Sequence, residues 1–440
     1  MLKNFSAVAA LSLTIANVSF AEQKVCDSHH YPSVLVGGEF GSELGSRIQD
    51  NKYTKVDSGI ISGGSASNFT TKQGVTANNN NLGLDSFAAG HITIYNADSR
   101  NFSYGAHMGM KTTTRSNRFA GKGSLERSYV FLEGNDWGRL ELGANEGVSR
   151  AMINKGKDFD AAEGSWDKYV SLNTYTPESN FQTQALNKSN FLTSARLVFQ
   201  ETKYETNHEA FRKVTYYTPK INGFQFGISY IPDATNKGGD ATYPNQNDAQ
   251  TAEEKNAFAA GVSWGKTIDK TSSLDISLVG ETGPLHSASP SASAAQKGIF
   301  HKTKAFAIGA KYIKDKISIA AAYGNRFKSG FKKNLTNSST GSNISPTDSF
   351  FINTGGAYQL TDKTSLSLTY LYTNNNKNTL NLSYLGVNYK IIEGCKVYGE
   401  AGYFTARQKR NYNASTSVIT PNQNFKNAGV ALITGIKFRF

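Results

Sequence analysis

The stretch 427–440 at the carboxyl end reads NAGVALITGIKFRF, and this pattern decides the fold. Large apolar residues occupy every second position, namely Val430, Leu432, Ile436, Phe438 and Phe440. Thr434 is the polar exception on this face, and small or charged residues fill the positions between, apart from Ile433. A period of two is typical of a β-strand that has one apolar and one polar face.

The same alternation recurs along the chain, and no long segment has the 3.6-residue period of a helix. Clear examples are FSYGAHMGMK (102–111), FQFGISY (224–230), SLDISLV (273–279) and SLSLTYLY (365–372). The second face of these strands is too small and polar to pack against another sheet, which argues against a β-sandwich. A barrel in lipid turns apolar residues outward and polar residues toward water, and that arrangement fits the pattern.

Composition agrees with a barrel that encloses water. Only 38% of the 440 residues are apolar and 18% are charged, whereas a soluble chain of this length is about 45–50% apolar. No stretch approaches the roughly 20 apolar residues of a membrane helix. Composition therefore excludes a helical membrane protein and argues against a conventional large enzyme.

The amino-terminal segment has the order of a secretory signal peptide, with Lys3, an apolar run and then Ser19-Phe20-Ala21. We expect cleavage after Ala21, so that 1–21 is the signal peptide, 22–30 a periplasmic tail and 31–440 the barrel. The formal charge of +13 does not predict nucleic acid as a partner, because an exported chain rarely meets it.

Connections between strands alternate between short and mostly longer ones. The short ones are 97–101, 135–137, 220–223, 267–271, 314–316, 361–363 and 392–394. The others are 45–83, 114–124, 145–210, 233–254, 284–301, 328–348, 375–378 and 407–426. This layout predicts an all-β, transmembrane antiparallel barrel of about sixteen strands, with short periplasmic turns and long external loops. Rings near strand ends would form its interfacial girdles, among them Tyr230, Tyr323, Tyr370, Tyr372, Tyr403 and Phe440.

Three blocks resemble the general porin family of Gram-negative outer membranes. They are SLERSYVFLEGNDWGRLELGANEG (124–147), VTYYTPKINGFQFGISY (214–230) and LGVNYKIIEGCKVYGEAGYF (385–404) together with the terminal GIKFRF. The resemblance implies a homotrimer of sixteen-stranded barrels through which small hydrophilic solutes and ions diffuse, without catalysis or a cofactor. It also implies that the loop after strand five folds inward, and that the strand ending in Phe440 is read by the outer-membrane assembly machinery.

The chain departs from the family pattern at three positions. Glu126, Ala144 and Thr215 stand where the family often has basic residues. Part of the usual basic wall of the constriction is therefore missing, and the family's selectivity does not carry over.

The inward loop should lie within 145–210, and its acidic residues are candidates for one side of the constriction: Asp158, Asp160, Glu163 and Asp167. A solvated loop cluster is the alternative interpretation. Candidates for the pore wall are His107, Lys111, Glu126, Arg139, Glu141, Lys213, Asp275, Lys311 and Glu400. We expect a mild cation preference if the acids dominate, and a transverse field that favours zwitterions if Lys111 and Lys213 face them.

Two further groups of residues lie near the rims. Cys26 and Cys395 are both expected on the periplasmic side, where they form either a disulfide or two free thiols. Basic residues near the long loops either bridge lipopolysaccharide phosphates or solvate loop ends: Arg115, Arg118, Lys302, Lys304, Lys328, Lys332 and Lys333.

Two other classes of protein share parts of this pattern with a diffusion pore. The Asn- and Ser-rich loops, as at 78–81 and 374–376, would suit a surface adhesin built on a barrel. A secreted soluble β-protein is the third class. The seven histidines show no metal-ligand spacing.

Overall fold

The structure is a computed structural model. It describes residues 32–49, 82–98, 102–113, 124–162, 166–170, 174–176, 183–186, 191–198, 212–233, 252–287, 300–331, 333, 335–337, 340–413, 418–420 and 425–440. Within these residues, sixteen strands form one antiparallel wall, as the alternation predicts.

The first eight strands of the wall are β1 (Ser33–Gln49), β2 (Leu82–Asp98), β3 (Phe102–Thr113), β4 (Ser124–Gly134), β5 (Gly138–Ala144), β6 (Arg212–Tyr217), β7 (Phe224–Asp233) and β8 (Ala252–Thr267). The others are β9 (Ser272–Gly283), β10 (Thr303–Lys314), β11 (Ile317–Phe327), β12 (Ser349–Gln359), β13 (Thr364–Asn375), β14 (Asn378–Ile392), β15 (Cys395–Gln408) and β16 (Phe425–Arg439).

The wall closes on itself because β1 pairs with β2 on one side and with β16 on the other. At the seam, the amide of Gly38 donates to the carbonyl of Phe440 at 3.0 Å, and the amide of Phe440 donates back to Gly38 at 3.1 Å. The short strand Leu285–Ser287 pairs with the beginning of β8 and brings the continuous sheet to seventeen strands. A closed ring has no unpaired main edge, which is what a strand structure in lipid requires.

The outer face carries two belts of aromatic rings. On the long-loop side, adjacent rings lie 5.0–6.2 Å apart between centroids, as in Tyr230–Phe258, Phe306–Tyr323, Tyr323–Phe350 and Phe350–Tyr372. On the short-turn side, the pairs are Phe102–Trp137, Phe224–Trp264 and Phe40–Phe440. Exposed aliphatic side chains such as Leu84, Leu278 and Leu368 lie on the outer face of the wall. These are the interfacial girdles and lipid belt of an outer-membrane barrel.

The inner face differs from the small and polar surface expected from the sequence. Between β9 and β16 it carries large buried apolar residues, including Phe351, Leu371, Leu382, Tyr384 and Phe404. Ile433, which breaks the pattern of the last strand, belongs to the same cluster. The cluster also contains residues of the segment after β5, so the interior holds a packed core as well as a lumen.

The connection between β13 and β14 is a tight turn and not a long loop. Asn376 and Lys377 have φ values of +51° and +73°. Positive φ at both central residues is the geometry of a two-residue hairpin turn. Among the described helices, none combines the length and apolar character needed to cross a membrane.

Candidate functional site

The segment after β5 lies along the inner wall of the barrel. It begins with helix α1 (Val148–Ala151) and continues with a 3-10 turn (Gly156–Phe159) and helix α2 (Trp166–Tyr169). We call residues 145–198 the inward loop, of which 145–162, 166–170, 174–176, 183–186 and 191–198 are described.

Polar contacts hold the first half of the inward loop to β7 and β9. The amide of Val148 donates to Ser229 Oγ at 3.0 Å, and Ser149 Oγ donates to Glu281 Oε1 at 2.5 Å. The first amides of a helix have no partner within the helix, so a buried one needs a partner from outside. The hydroxyl of Ser229 on the inner face supplies that partner for Val148.

The middle of the inward loop continues round the wall to β12. The amide of Lys157 donates to Asn353 Oδ1 at 2.8 Å. On the way, the loop backbone passes so close to β10 that a Cβ on Gly309 would lie 2.0 Å from the carbonyl oxygen of Asn154. Only glycine permits that approach.

Apolar packing holds α2 against β14, β15 and β1. The ring of Trp166 lies 6.4 Å from the rings of both Tyr384 and Phe404. The ring of Tyr169 covers Gly45, where a Cβ would lie 2.2 Å from its Cγ. The inward loop thus follows the inner wall from β7 round to β1.

The open part of the lumen is bordered by a charged network on β4 and β5. Arg139 contacts Glu133 at 2.9 Å and Glu141 at 2.7 Å, and its guanidinium lies 4.3 Å from the centre of the Phe131 ring. Asn145, at the start of the inward loop, donates to Glu141. This network fixes the point where the loop leaves the wall.

Arg127 of β4 and two loop residues form a second charged cluster, which sequence reasoning missed. Arg127 pairs with Glu146, and Arg150 Nε lies 3.4 Å from the same carboxylate. All three side chains are partly accessible, so solvent screens their charges in part.

A β-bulge lies directly beside Arg127, at Glu126. The register of β3 with β4 shifts between Gly109 and Met110, and Glu126 is the residue without a partner. Comparison with the family pattern drew attention to Glu126, but Arg127 has the same parity as the inner-face residue Tyr129. Parity alone could have found it.

A stack of rings crosses β2, β3 and β4 on the inner face. His107 lies 5.7 Å from His91 and 5.0 Å from Tyr129 between ring centres. Its Nδ1 is 2.8 Å from Thr93 Oγ1, which fixes the imidazole plane.

The acidic residues predicted for the loop fall in different places. The Asp158 side chain is 47% exposed, with Lys155 Nζ at 4.0 Å. Burial lowers the pKa of the Lys155 ammonium, and the carboxylate of Asp158 opposes that shift. Asp160 lies behind the loop in a small cavity of about 10 Å³, beside Trp166. Burial raises the pKa of Asp160 to about 6.

The other predicted wall residues lie at inner-face positions. Lys213 donates to the carbonyl of Asn145, and Asp275 is paired in register with Lys311. Lys111 lies opposite Ala89. Glu400 is buried close enough to Asp160 for their carboxylates to repel each other.

Several predicted residues cannot be placed. Glu163, Cys26 and the side chains of Glu126 and Asp167 lie outside the described residues. Cys395 is buried at the beginning of β15 and has no disulfide partner among the described residues, so its pairing with Cys26 stays a prediction.

Comparison with known proteins gives a consistent result. The sequence profile of a family described as Gram-negative porin matches residues 7–409. An uncharacterized protein of Rickettsia typhi is 28% identical over 443 residues, covering 92% of this chain and 94% of its own length. An uncharacterized protein of Rickettsia conorii is 27% identical, covering 84% and 86%.

Two solved structures share the fold. The anion-selective porin from Comamonas acidovorans has a TM-score of 0.52 and 13% identity, covering 93% of this chain and 100% of its own. The OmpF of Salmonella typhi, in complex with daunomycin, has a TM-score of 0.50 and 11% identity, covering 93% and 98%.

Proposed function

The chain belongs to the Gram-negative porin family, and we propose that it is a passive diffusion channel for small hydrophilic solutes and ions. Family and fold are those of an outer-membrane channel rather than an enzyme. The observation that carries the proposal is the inward loop, which narrows a closed barrel whose outer face is apolar and whose lumen carries charged networks. A narrow, wet and charged passage sorts solutes by size and charge without any reaction.

We place the constriction between the inward loop and the wall of β3 to β6. The loop contributes Glu146, Arg150 and Asp158, and the facing wall contributes Arg127 and Arg139. Glu146 lies beside Arg127, and Asp158 lies beside Lys155. Because each carboxylate has a basic side chain next to it, we propose that the channel has only a weak preference between cations and anions. The exposed carboxylate of Asp158 is the group best placed to give a mild cation preference.

Conductance of the purified protein in planar bilayers tests the channel, and reversal potentials under a salt gradient test its selectivity. Asp158→Asn should move the reversal potential toward anion preference, whereas Asp160→Asn should move it less because Asp160 lies behind the loop. An absence of discrete conductance steps would reject the channel. Equal shifts for both variants would reject the assignment of Asp158.

We also propose that the barrel forms a homotrimer through the outer face of β16, β1, β2 and β3. Support comes from polar residues on that face, where Ser42 Oγ and Ser86 Oγ lie 2.9 Å apart. They border a surface hollow of about 370 Å³ that also includes Thr112 and Phe438. Small polar residues on an otherwise apolar outer face are typical of helix or strand surfaces that contact a second protein surface in the membrane. Ser86→Arg should shift the protein from trimer to monomer in light scattering, and an unchanged mass would reject this surface.

We also propose that the two ends of the sequence direct export and membrane assembly. Residues 1–21 would direct secretion and be removed, and the terminal Phe440 would be read by the assembly machinery. Mass spectrometry of the outer-membrane protein should find Glu22 as its first residue. Phe440→Ser should lower the assembled fraction, while the neighbouring substitution Arg439→Gln should not.

A further inference from the structure

Four lysines lie side by side at the short-turn, periplasmic end of β13 to β16. Lys390 of β14 is paired in register with Lys396 of β15, and Lys396 is paired with Lys437 of β16. Lys363, in the turn before β13, continues the same row, because its carbonyl accepts a hydrogen bond from the Lys390 amide at 2.8 Å. We call these four residues the lysine row. Residues directly opposite each other in an antiparallel sheet have Cβ atoms about 4.5–5.5 Å apart, so four positive charges follow one another across four strands.

The side chains of the lysine row leave the inner face of the wall. Lys390 has the parity of the buried Tyr384, whereas its neighbour Tyr389 is exposed on the outer face. Lys437 is buried, and its Nζ lies 5.3 Å from the centre of the Phe87 ring, which covers Gly41 on the inner face of β1. Because alternate residues of a strand point to opposite faces, the lysine row lies on the inner wall at the periplasmic mouth.

Three of the four lysines are accessible to solvent. Lys363 is exposed, Lys396 is half-buried, and the side chain of Lys390 is 40% exposed. Next to the row on β16, Arg439 lies 3.2 Å from Glu39, and this ion pair adds no net charge to the mouth. A solute that enters the mouth from the periplasm can therefore reach the ammonium groups on β13 to β15.

Carboxylates balance only part of the charge on the β13 to β15 side of the row. Glu393, in the turn between β14 and β15, pairs with Lys390. Asp362 precedes Lys363 and has the opposite, outward parity. The buried Glu43 and Asp85 face each other across β1 and β2, one inner-face row further from the mouth. Like charges directly opposite each other destabilise a sheet, and an anion between them removes that repulsion.

Lysine selects an anion by its charge more than by its shape. Its ammonium group is a compact charge with three donors on a flexible stem, whereas arginine presents a rigid planar fork. The spacing of about 5 Å along the row lets two ammonium groups contact two anionic groups of one small solute. A monovalent anion has one group to offer and gains less from the row.

We propose that the lysine row is a binding site for small multivalent anions, which carry two or more neighbouring phosphate or carboxylate groups. Lys363, Lys390 and Lys396 would contact the anion, and the buried Lys437 would add its positive charge from β16. Such a site is saturable and lies apart from the inward loop, so it adds binding at one mouth to passive diffusion. It requires the closed barrel but not conduction.

Isothermal titration calorimetry of the purified protein in detergent, with inorganic diphosphate as the probe, tests the site. Lys363→Gln/Lys390→Gln/Lys396→Gln should bind diphosphate roughly tenfold to a hundredfold more weakly, because each partly exposed ammonium group contributes separately. The matched control is Lys266→Gln/Lys270→Gln/Lys314→Gln, which removes the same charge from three exposed positions at other periplasmic turns. That control should bind diphosphate like the wild type.

The charge of the anion provides a second measurement on the unmodified protein. Citrate should bind about as well as diphosphate, acetate should bind far more weakly, and the affinity for diphosphate should fall as salt concentration rises. Tight binding of diphosphate without citrate would support the site and restrict its ligands to phosphates. Wild-type affinity in the row variant, an equal loss in the control, or equal affinity for acetate and diphosphate would overturn the proposal.

Currents in planar bilayers separate this site from the channel itself. Diphosphate should reduce the wild-type current more from one side of the membrane than from the other, because the lysine row lies at one mouth. The row variant should still conduct and should lose this difference between the two sides. Conductance without diphosphate binding would reject the site and leave the channel intact. Diphosphate binding in detergent without conductance would reject the channel and support the site.

Discussion

Replacing Trp166 by alanine should release the second half of the inward loop while the strand wall stays closed. Trp166 is 2% exposed and packs between the rings of Tyr384 and Phe404, each 6.4 Å away. Deleting a buried Trp side chain costs about 3–5 kcal/mol, and each ring pair accounts for about 0.5–1.5 kcal/mol of stabilisation beyond area burial. This loss of free energy destabilises the docking of the inward loop and not the strand wall, because α2 takes no part in the hydrogen bonds between strands.

A loss of 3–5 kcal/mol is a fall of about 10²-fold to about 4 × 10³-fold in the ratio of docked to undocked loop. The contacts of Val148 and Ser149 with β7 and β9 remain, so the loop should detach from 160 onward and stay anchored at its start. Single-channel recordings should then show larger and noisier currents, and liposome swelling should admit larger sugars.

Trp137→Ala is the matched control, because Trp137 belongs to the periplasmic girdle outside the lumen. It should leave the conductance and the sugar size limit unchanged. If Trp166→Ala gave the same unit conductance, noise and size limit as this control, the apolar core would not be what holds the inward loop, and the reasoning would be refuted.

Three other outcomes follow from the same geometry. Gly45→Leu should displace the Tyr169 ring, since even a Cβ would lie 2.2 Å from its Cγ, and it should reproduce the enlarged size limit without lowering the amount of assembled barrel on gels. The docking of the inward loop on the wall should become less stable as pH rises. The pKa of Asp160 is about 6 in the docked loop, against about 4 for an aspartate in water. Protonation of Asp160 therefore stabilises docking fully below about pH 4, and this stabilisation is lost as pH rises through about 6. Current noise measured from pH 4 to 7 should rise in the wild type and stay constant in Asp160→Asn. Arg139→Gln should leave Glu133 and Glu141 without their shared cation and shift the reversal potential toward cation preference, whereas an unchanged potential would place this network outside the ion path.

The wall was predictable because alternation is a local property of the sequence. Each run such as FQFGISY already shows which residues face lipid, and the structure confirms sixteen strands joined by turns and loops close to the expected ranges. The connection at 375–378 has the predicted bounds, but it is a tight turn at Asn376 and Lys377 and not one of the longer loops with which it was grouped.

The packed interior was not predictable from alternation. In β14 both faces are apolar, with Leu382 and Tyr384 inside and Leu385 and Val387 outside. Parity assigns residues to a face, but it does not show what covers that face. The covering partner is the inward loop, about 200 positions away in sequence, and only tertiary structure brings the two together.

Charges in the lumen were partly predictable. Inner-face positions followed from parity, yet the family pattern drew attention to Glu126, which lies in a bulge, and not to its neighbour Arg127. Asp160 and Asp158 are two residues apart in the sequence, but one lies behind the loop and the other is exposed. Their difference depends on how the loop docks, which no residue pattern within the loop encodes.

The seam between β1 and β16 sets the order in which this protein can fold. Arg439 Nε donates to Glu39 Oε2 at 3.2 Å, although the two residues are 400 positions apart. Contacts between residues so far apart in sequence form late in folding. The entropic cost of bringing the two ends of the segment together comes first, and the contacts stabilise the fold only afterwards. Until Phe440 meets Gly38, the first and last strands are both open edges that can pair with other chains. A chain that lacks β16 therefore keeps two open strand edges, and its protection from aggregation depends on the pairing of β16 with β1.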